Sequence, residues 1–91
     1  MTLTLILKKE WFDKIKSGEK TVEYREVKKY WSTRLQKKYD SIIFKNGYQK
    51  NAPSIIADYK SMTVIDGNDT DLKIDSLVFA IEFENVRPYC I

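Results

Sequence analysis

Gly18-Glu19-Lys20-Thr21-Val22-Glu23-Tyr24-Arg25 is the densest polar stretch of the chain, and its reading decides the fold. Gly18 follows a helical pattern and is a natural C′ stop, because glycine accepts the left-handed conformation there. From Lys20 to Glu26 the pattern changes to alternation. Val22 and Tyr24 fall on one side, and Thr21, Glu23 and Arg25 on the other. This predicts a strand whose Val22–Tyr24 side packs inward. Lys20 is expected at the strand mouth, where a long side chain need not pack. Glu23 and Arg25, two apart, share a face and can pair directly.

Working outward, residues 9–17 read as a helix with Trp11, Phe12 and Ile15 on one side and Glu10 four residues before Lys14. Before it, Leu3, Leu5 and Leu7 alternate with Thr2, Thr4 and Ile6, a strand with one buried face. After the motif, residues 28–38 predict a second helix with Val27, Trp31, Leu35 and Tyr39 spaced by four; Ser32 could start a shorter one. Ser41–Phe44 is an apolar run ending at the Asn46-Gly47 turn signal. Ile55, Ala57 and Tyr59 alternate into a strand that fades near Ile65. Asp66–Ser76 is acidic and predicts a surface loop. Leu77, Phe79, Ile81 and Phe83 alternate with Val78, Ala80, Glu82 and Glu84, the clearest strand of the chain. Strand, helix, strand, helix and three strands predict an α+β fold: a small, curved sheet or partly open barrel with two helices packed on it.

The composition bounds the rest. Ninety-one residues, 43 % hydrophobic and 13 % aromatic, make a single domain, residues 1–91, with one core. No apolar run approaches the ~18 residues of a membrane span. The chain has no histidine, which excludes a Ser-His-Asp triad, a Cys-His pair and histidine-ligated metal. Cys90 is its one cysteine, so it forms no internal disulfide or zinc knuckle. It reads as a packing residue rather than a nucleophile, in a reducing, cytoplasmic setting. No metal or other cofactor is expected. The net charge of +3 hides an asymmetry: residues 1–60 carry fourteen Lys and Arg against seven Asp and Glu, residues 61–91 two against six. The first two thirds is therefore the face for an anionic partner. Within it, Lys28-Lys29 and Lys37-Lys38 read either as a phosphate-tracking rim or as a solvated helix face.

Lys20, Glu23 and Arg25 together make a preorganised site for an anion or a nucleobase. Arginine offers bidentate geometry, glutamate accepts from exocyclic amines, and lysine supplies point charge. Lys45 and Tyr48 flank the Asn46-Gly47 turn, and Tyr48 is the aromatic best placed to stack on a base.

Gly18-x-Lys20-x-x-Glu23-x-Arg25 after a Trp/Phe-containing helix resembles the ASCH domain (activating signal cointegrator homology) of the PUA-like superfamily. The opening strand and Ile42-Ile43-Phe44-Lys45-Asn46-Gly47-Tyr48 extend the resemblance, which is to small prokaryotic or phage members. The resemblance implies a PUA-like β-barrel, a cleft beside the motif, and binding of RNA, a nucleotide or a modified nucleobase. One branch of the superfamily is enzymatic, a small amidohydrolase acting on acetylated cytidine. Its lysine matches Lys20, but its threonine, three residues later, is Glu23 here. Its distant acid could match Asp71 or Asp75. A binding module therefore leads; a Lys20/Glu23-assisted amide hydrolase and a basic protein-interaction module are the alternatives.

Overall fold

The computed structural model describes residues Met1–Tyr89; Cys90, assigned above to packing, lies outside the described residues. The elements run β1 (Thr2–Leu7), α1 (Lys9–Lys16), β2 (Val22–Glu26), α2 (Lys29–Arg34), β3 (Ser41–Asn46), β4 (Ser54–Asp66), a single 3₁₀ turn (Gly67–Asp69) and β5 (Leu77–Pro88). The five strands form one sheet in the order β1-β3-β4-β5-β2. β1 and β3 are parallel, and the other neighbours are antiparallel. The sheet curls into a half-barrel with two helices, the α+β class expected from the sequence.

The curl has a local cause. β4 and β5 are long, and their pairing slips twice, between Ile56 and Asp58 and between Tyr59 and Ser61. Such irregularities bend strands and increase twist. Asn85 stands at the bend with φ of 57°. Its amide donates to Asp58 at 2.8 Å, and Arg87 pairs with the same carboxylate at 3.1 Å. A side-chain clamp thus holds the bend.

Inside the curl lies the core. Leu3, Leu5 and Leu7 meet Ile42 and Phe44 from β3, Ile55 and Ala57 from β4, and Phe79, Ile81 and Phe83 from β5. α1 contributes Phe12 and Ile15, with Trp11 half-buried beside them. Its exposed ion pair joins Lys9 to Asp13 at 2.6 Å, while Lys14 lies over the Trp11 ring. Gly18 ends the helix with φ of +87°, where a side chain would be strained, and turns the chain back into β2.

The second helix is shorter than the predicted 28–38. The Tyr39 hydroxyl donates to the Arg34 carbonyl at 2.5 Å, satisfying a terminal acceptor, and Leu35 turns inward to full burial. Neither Lys28 nor any other side chain caps its start, and it contains no buried residue.

The expected facing of β2 is reversed. Val22 and Tyr24 are half-buried, whereas Glu23 is only 6 % exposed. Register explains this: Glu23 stands opposite Ile81 and Arg25 opposite Phe79, and directly opposed residues share a face. Pairing with β5 therefore turns the charged side of the motif inward. Among the described residues no helix is long and apolar enough to cross a membrane.

Candidate functional site

β1 and β2 are the two edges of the sheet, and the curl brings them face to face without pairing them. A cleft of about 600 Å³ fills the seam. Ile6 and Leu7 form one wall, and Glu23, Tyr24 and Arg25 the other. Trp11, Tyr48 and Leu72 also line it, with Lys8 and Lys9 at the start of α1.

Four charged groups meet at the β2 wall. One Glu23 carboxylate oxygen accepts from Arg25 Nη2 at 2.8 Å, and the other accepts the Tyr24 backbone N–H at 3.2 Å. Lys20 Nζ lies 3.7 Å from Glu23 and donates to the Asp71 carboxylate. Arg25 Nη2 also reaches across the seam to the Ile6 carbonyl at 3.4 Å, a side-chain tie between the edges. Its buried Nε has no partner among the described residues. The Lys20 ammonium is held over two rings, 5.2 Å from the centre of Trp11 and 4.8 Å from that of Tyr24.

Lys20 is consequently 8 % exposed, not the loosely held residue expected at a strand mouth. The reason is the 67–76 segment, which packs down instead of lying free. Gly67 admits no Cβ, which would come within 2.6 Å of Ile74 and of the Ser76 carbonyl. Thr70 is buried and donates to the Gly67 carbonyl at 2.8 Å. Asn68 bridges Asp66 and Asp75. This bracing delivers Asp71 onto Lys20 and Leu72 into the cleft wall, whereas Asp75 is used inside the loop.

The electrostatics follow from burial. Desolvation pushes the Glu23 carboxyl above its ordinary value, against the opposing pull of Arg25, Lys20 and the Tyr24 N–H. Burial also raises the Tyr24 hydroxyl, with Asp71 and Glu82 adding to the effect. Two cations and two carboxylates make the cluster formally neutral, and Lys9 is paired with Asp13, so among the described residues Lys8 carries the unpaired positive charge at the cleft mouth. The arrangement offers guanidinium donors, a carboxylate acceptor and aromatic walls, the set that recognises a planar polar ring bearing a phosphate.

Of the residues singled out from the sequence, Lys20, Glu23 and Arg25 are brought together, and Tyr48 stands 87 % exposed at the lip. Lys45 is not brought into the group. It alternates with the fully buried Phe44 on β3 and does not line the cleft. Trp11, read as a core residue, is both a partner of the core and a cleft wall. Asp71 carried two signals in the sequence, its place in an acidic segment of a chain whose motif is basic and the resemblance that offered it or Asp75 as the distant acid, but nothing in its spacing specifies Lys20 as partner.

The family model of the ASCH domain matches residues 5–87 of the chain. No curated protein and no solved structure matches it.

Proposed function

The chain belongs to the ASCH domain family, a branch of the PUA-like superfamily whose members are in general RNA-binding modules, and from that premise we propose that residues 1–91 act as one cytoplasmic domain that binds RNA or a nucleotide in the seam cleft. The observation that carries this reading is the inward-facing Glu23–Arg25 pair set in a cleft with aromatic walls and a basic mouth. Arg25 meets a phosphate or a base carbonyl. Glu23 orients Arg25 and accepts from a base amine. Lys20 sets Glu23 and Asp71 in place, and Tyr48 covers the base from the lip. Titration of labelled single-stranded RNA over a salt series tests it. With about three cations engaged at the cleft, an RNA too short to reach beyond it should give a log–log slope near −2. No binding at low salt overturns the reading.

A second reading has one observation in its favour: Lys20, Glu23 and Asp71 converge on one wall. This is the set an amidohydrolase on an acylated cytidine-type nucleoside would draw on, with Glu23 where the resemblance implies a threonine. Hydrolysis takes up one water and releases the carboxylic acid and the free amine. Release of acetate from N4-acetylcytidine, absent in Lys20→Ala, supports it; no release overturns it.

A further inference from the structure

We propose that residues 28–38 form a second contact surface for single-stranded RNA, one that carries the nucleotides flanking the one in the cleft; this rests on the reading just given and narrows its ligand to a polynucleotide. The segment holds five cations, Lys28, Lys29, Arg34, Lys37 and Lys38, and no acid. The four lysines are exposed. Lys28 reaches Glu26 at 3.2 Å, and among the described residues the other three lysines make no ion pair. A strip of this kind raises the local concentration of a polyanion.

Charge alone would suit a merely solvated helix face. The aromatic residues do not. α2 is six residues long, uncapped by side chains and without a buried residue, and such a helix does not persist by itself. It is held by stacking. Trp31 lies under the Arg25 guanidinium at 5.0 Å and the Arg34 guanidinium at 5.9 Å, and meets the Tyr30 ring edge-on at 4.8 Å. Arg34 also lies over Tyr30, at 5.1 Å. Tyr30 is nevertheless 60 % exposed. An exposed ring fixed among cations is the element single-strand binders use to stack a base while neighbouring charges track the backbone. A partner held by charge alone has no use for that ring, and a duplex keeps its base faces covered.

Continuity joins the two surfaces. Arg25 lines the cleft and stacks on Trp31, so a strand with one base in the cleft can lay its next nucleotides along α2 without leaving protein.

The experiment compares octauridylate with uridine monophosphate, by anisotropy and calorimetry, on wild type, Lys37→Ala/Lys38→Ala and Tyr30→Ala. The lysine pair is exposed, so that double variant should melt like wild type. It should bind octauridylate about tenfold more weakly, with the salt slope reduced by about 1.4, the loss of two phosphate contacts. Tyr30→Ala should lose about tenfold, one stacked base. Neither should alter affinity for the monophosphate. If the double variant binds octauridylate with unchanged affinity and slope, the α2 surface is wrong and the cleft reading stands. If wild type binds neither probe, both fall. If polyglutamate of equal charge binds wild type as tightly as octauridylate and Tyr30→Ala binds it equally well, the surface is for an acidic protein and the proposal is overturned.

Discussion

Two ion clusters on the same sheet behave in opposite ways. At the bend of β4 and β5, Asp58 accepts from Asn85 and Arg87 at the half-exposed surface, and those hydrogen bonds hold its carboxyl below the ordinary value. At the seam, Glu23 accepts from Arg25 and the Tyr24 N–H, yet its carboxyl is pushed up by burial. The partners are similar in kind. What differs is the water each carboxylate gave up. The bend clamp fixes shape at little cost. The seam cluster takes charge out of water, and a buried ion pair is a poor device for stability alone. Its place in a cleft is what makes sense of it.

The sharpest way to break the contrast is to remove the two cations of the seam cluster one at a time. Lys20→Ala leaves Asp71 unpaired and Glu23 with one cation fewer, and also empties the space between two rings. It should cost about 3 kcal/mol, the lower end for breaking a buried pair. Chemical denaturation measures this, and a melt indistinguishable from wild type would place the cluster with the bend clamp. Arg25→Ala strands Glu23 and should cost about 1–3 kcal/mol. The double change Glu23→Ala/Arg25→Ala should recover part of that stability without recovering ligand binding.

The pH dependences should run in opposite directions. Glu23 binds its proton more tightly in the folded state, so its contribution is complete below about 4.5, the ordinary value, and is lost as pH rises through the raised native value. The stability of Glu23→Gln relative to wild type should therefore improve as pH rises from about 4 to 7. Asp58, being lowered, contributes stability above its ordinary value of 3.8 and loses it as pH falls through the native value. Asp58→Asn should flatten the acid side of the stability profile. Melting curves of both variants across pH test the pair. The smallest effect is expected for Arg87→Ala, a slight loss of stability that fades with salt, as for exposed ion pairs generally.

The order of the elements was legible in the sequence because alternation and helical spacing are local. So was the grouping of Lys20, Glu23 and Arg25, set by spacing within one strand. Which face of β2 turns inward was not. Val22 and Tyr24 are the apolar side, but the pairing of Glu23 with Ile81 is decided by β5, far along the chain. Asp71 was invisible as a partner for the same reason: Lys20 meets it through a loop shaped by Gly67 and Thr70. The end of α2 is a local effect that spacing alone did not separate: Tyr39, read as part of the helix face, instead donates its hydroxyl to the Arg34 carbonyl five residues before it.

The pairing of β2 with β5 alone has a consequence for the order of assembly. As the chain leaves the ribosome, Val22–Glu26 has no strand partner until Leu77–Pro88 has been made. β1 and β3 can pair much earlier, and β4 can join them by a local hairpin. The motif therefore stays hydrated through most of synthesis, and Glu23 loses its water only when the final strand docks and closes the longest loop. The most demanding desolvation is therefore expected late, after the rate-limiting step. Substitutions at Glu23 and Arg25 should then be felt in how fast the native protein opens, while the rate at which it forms stays nearly constant.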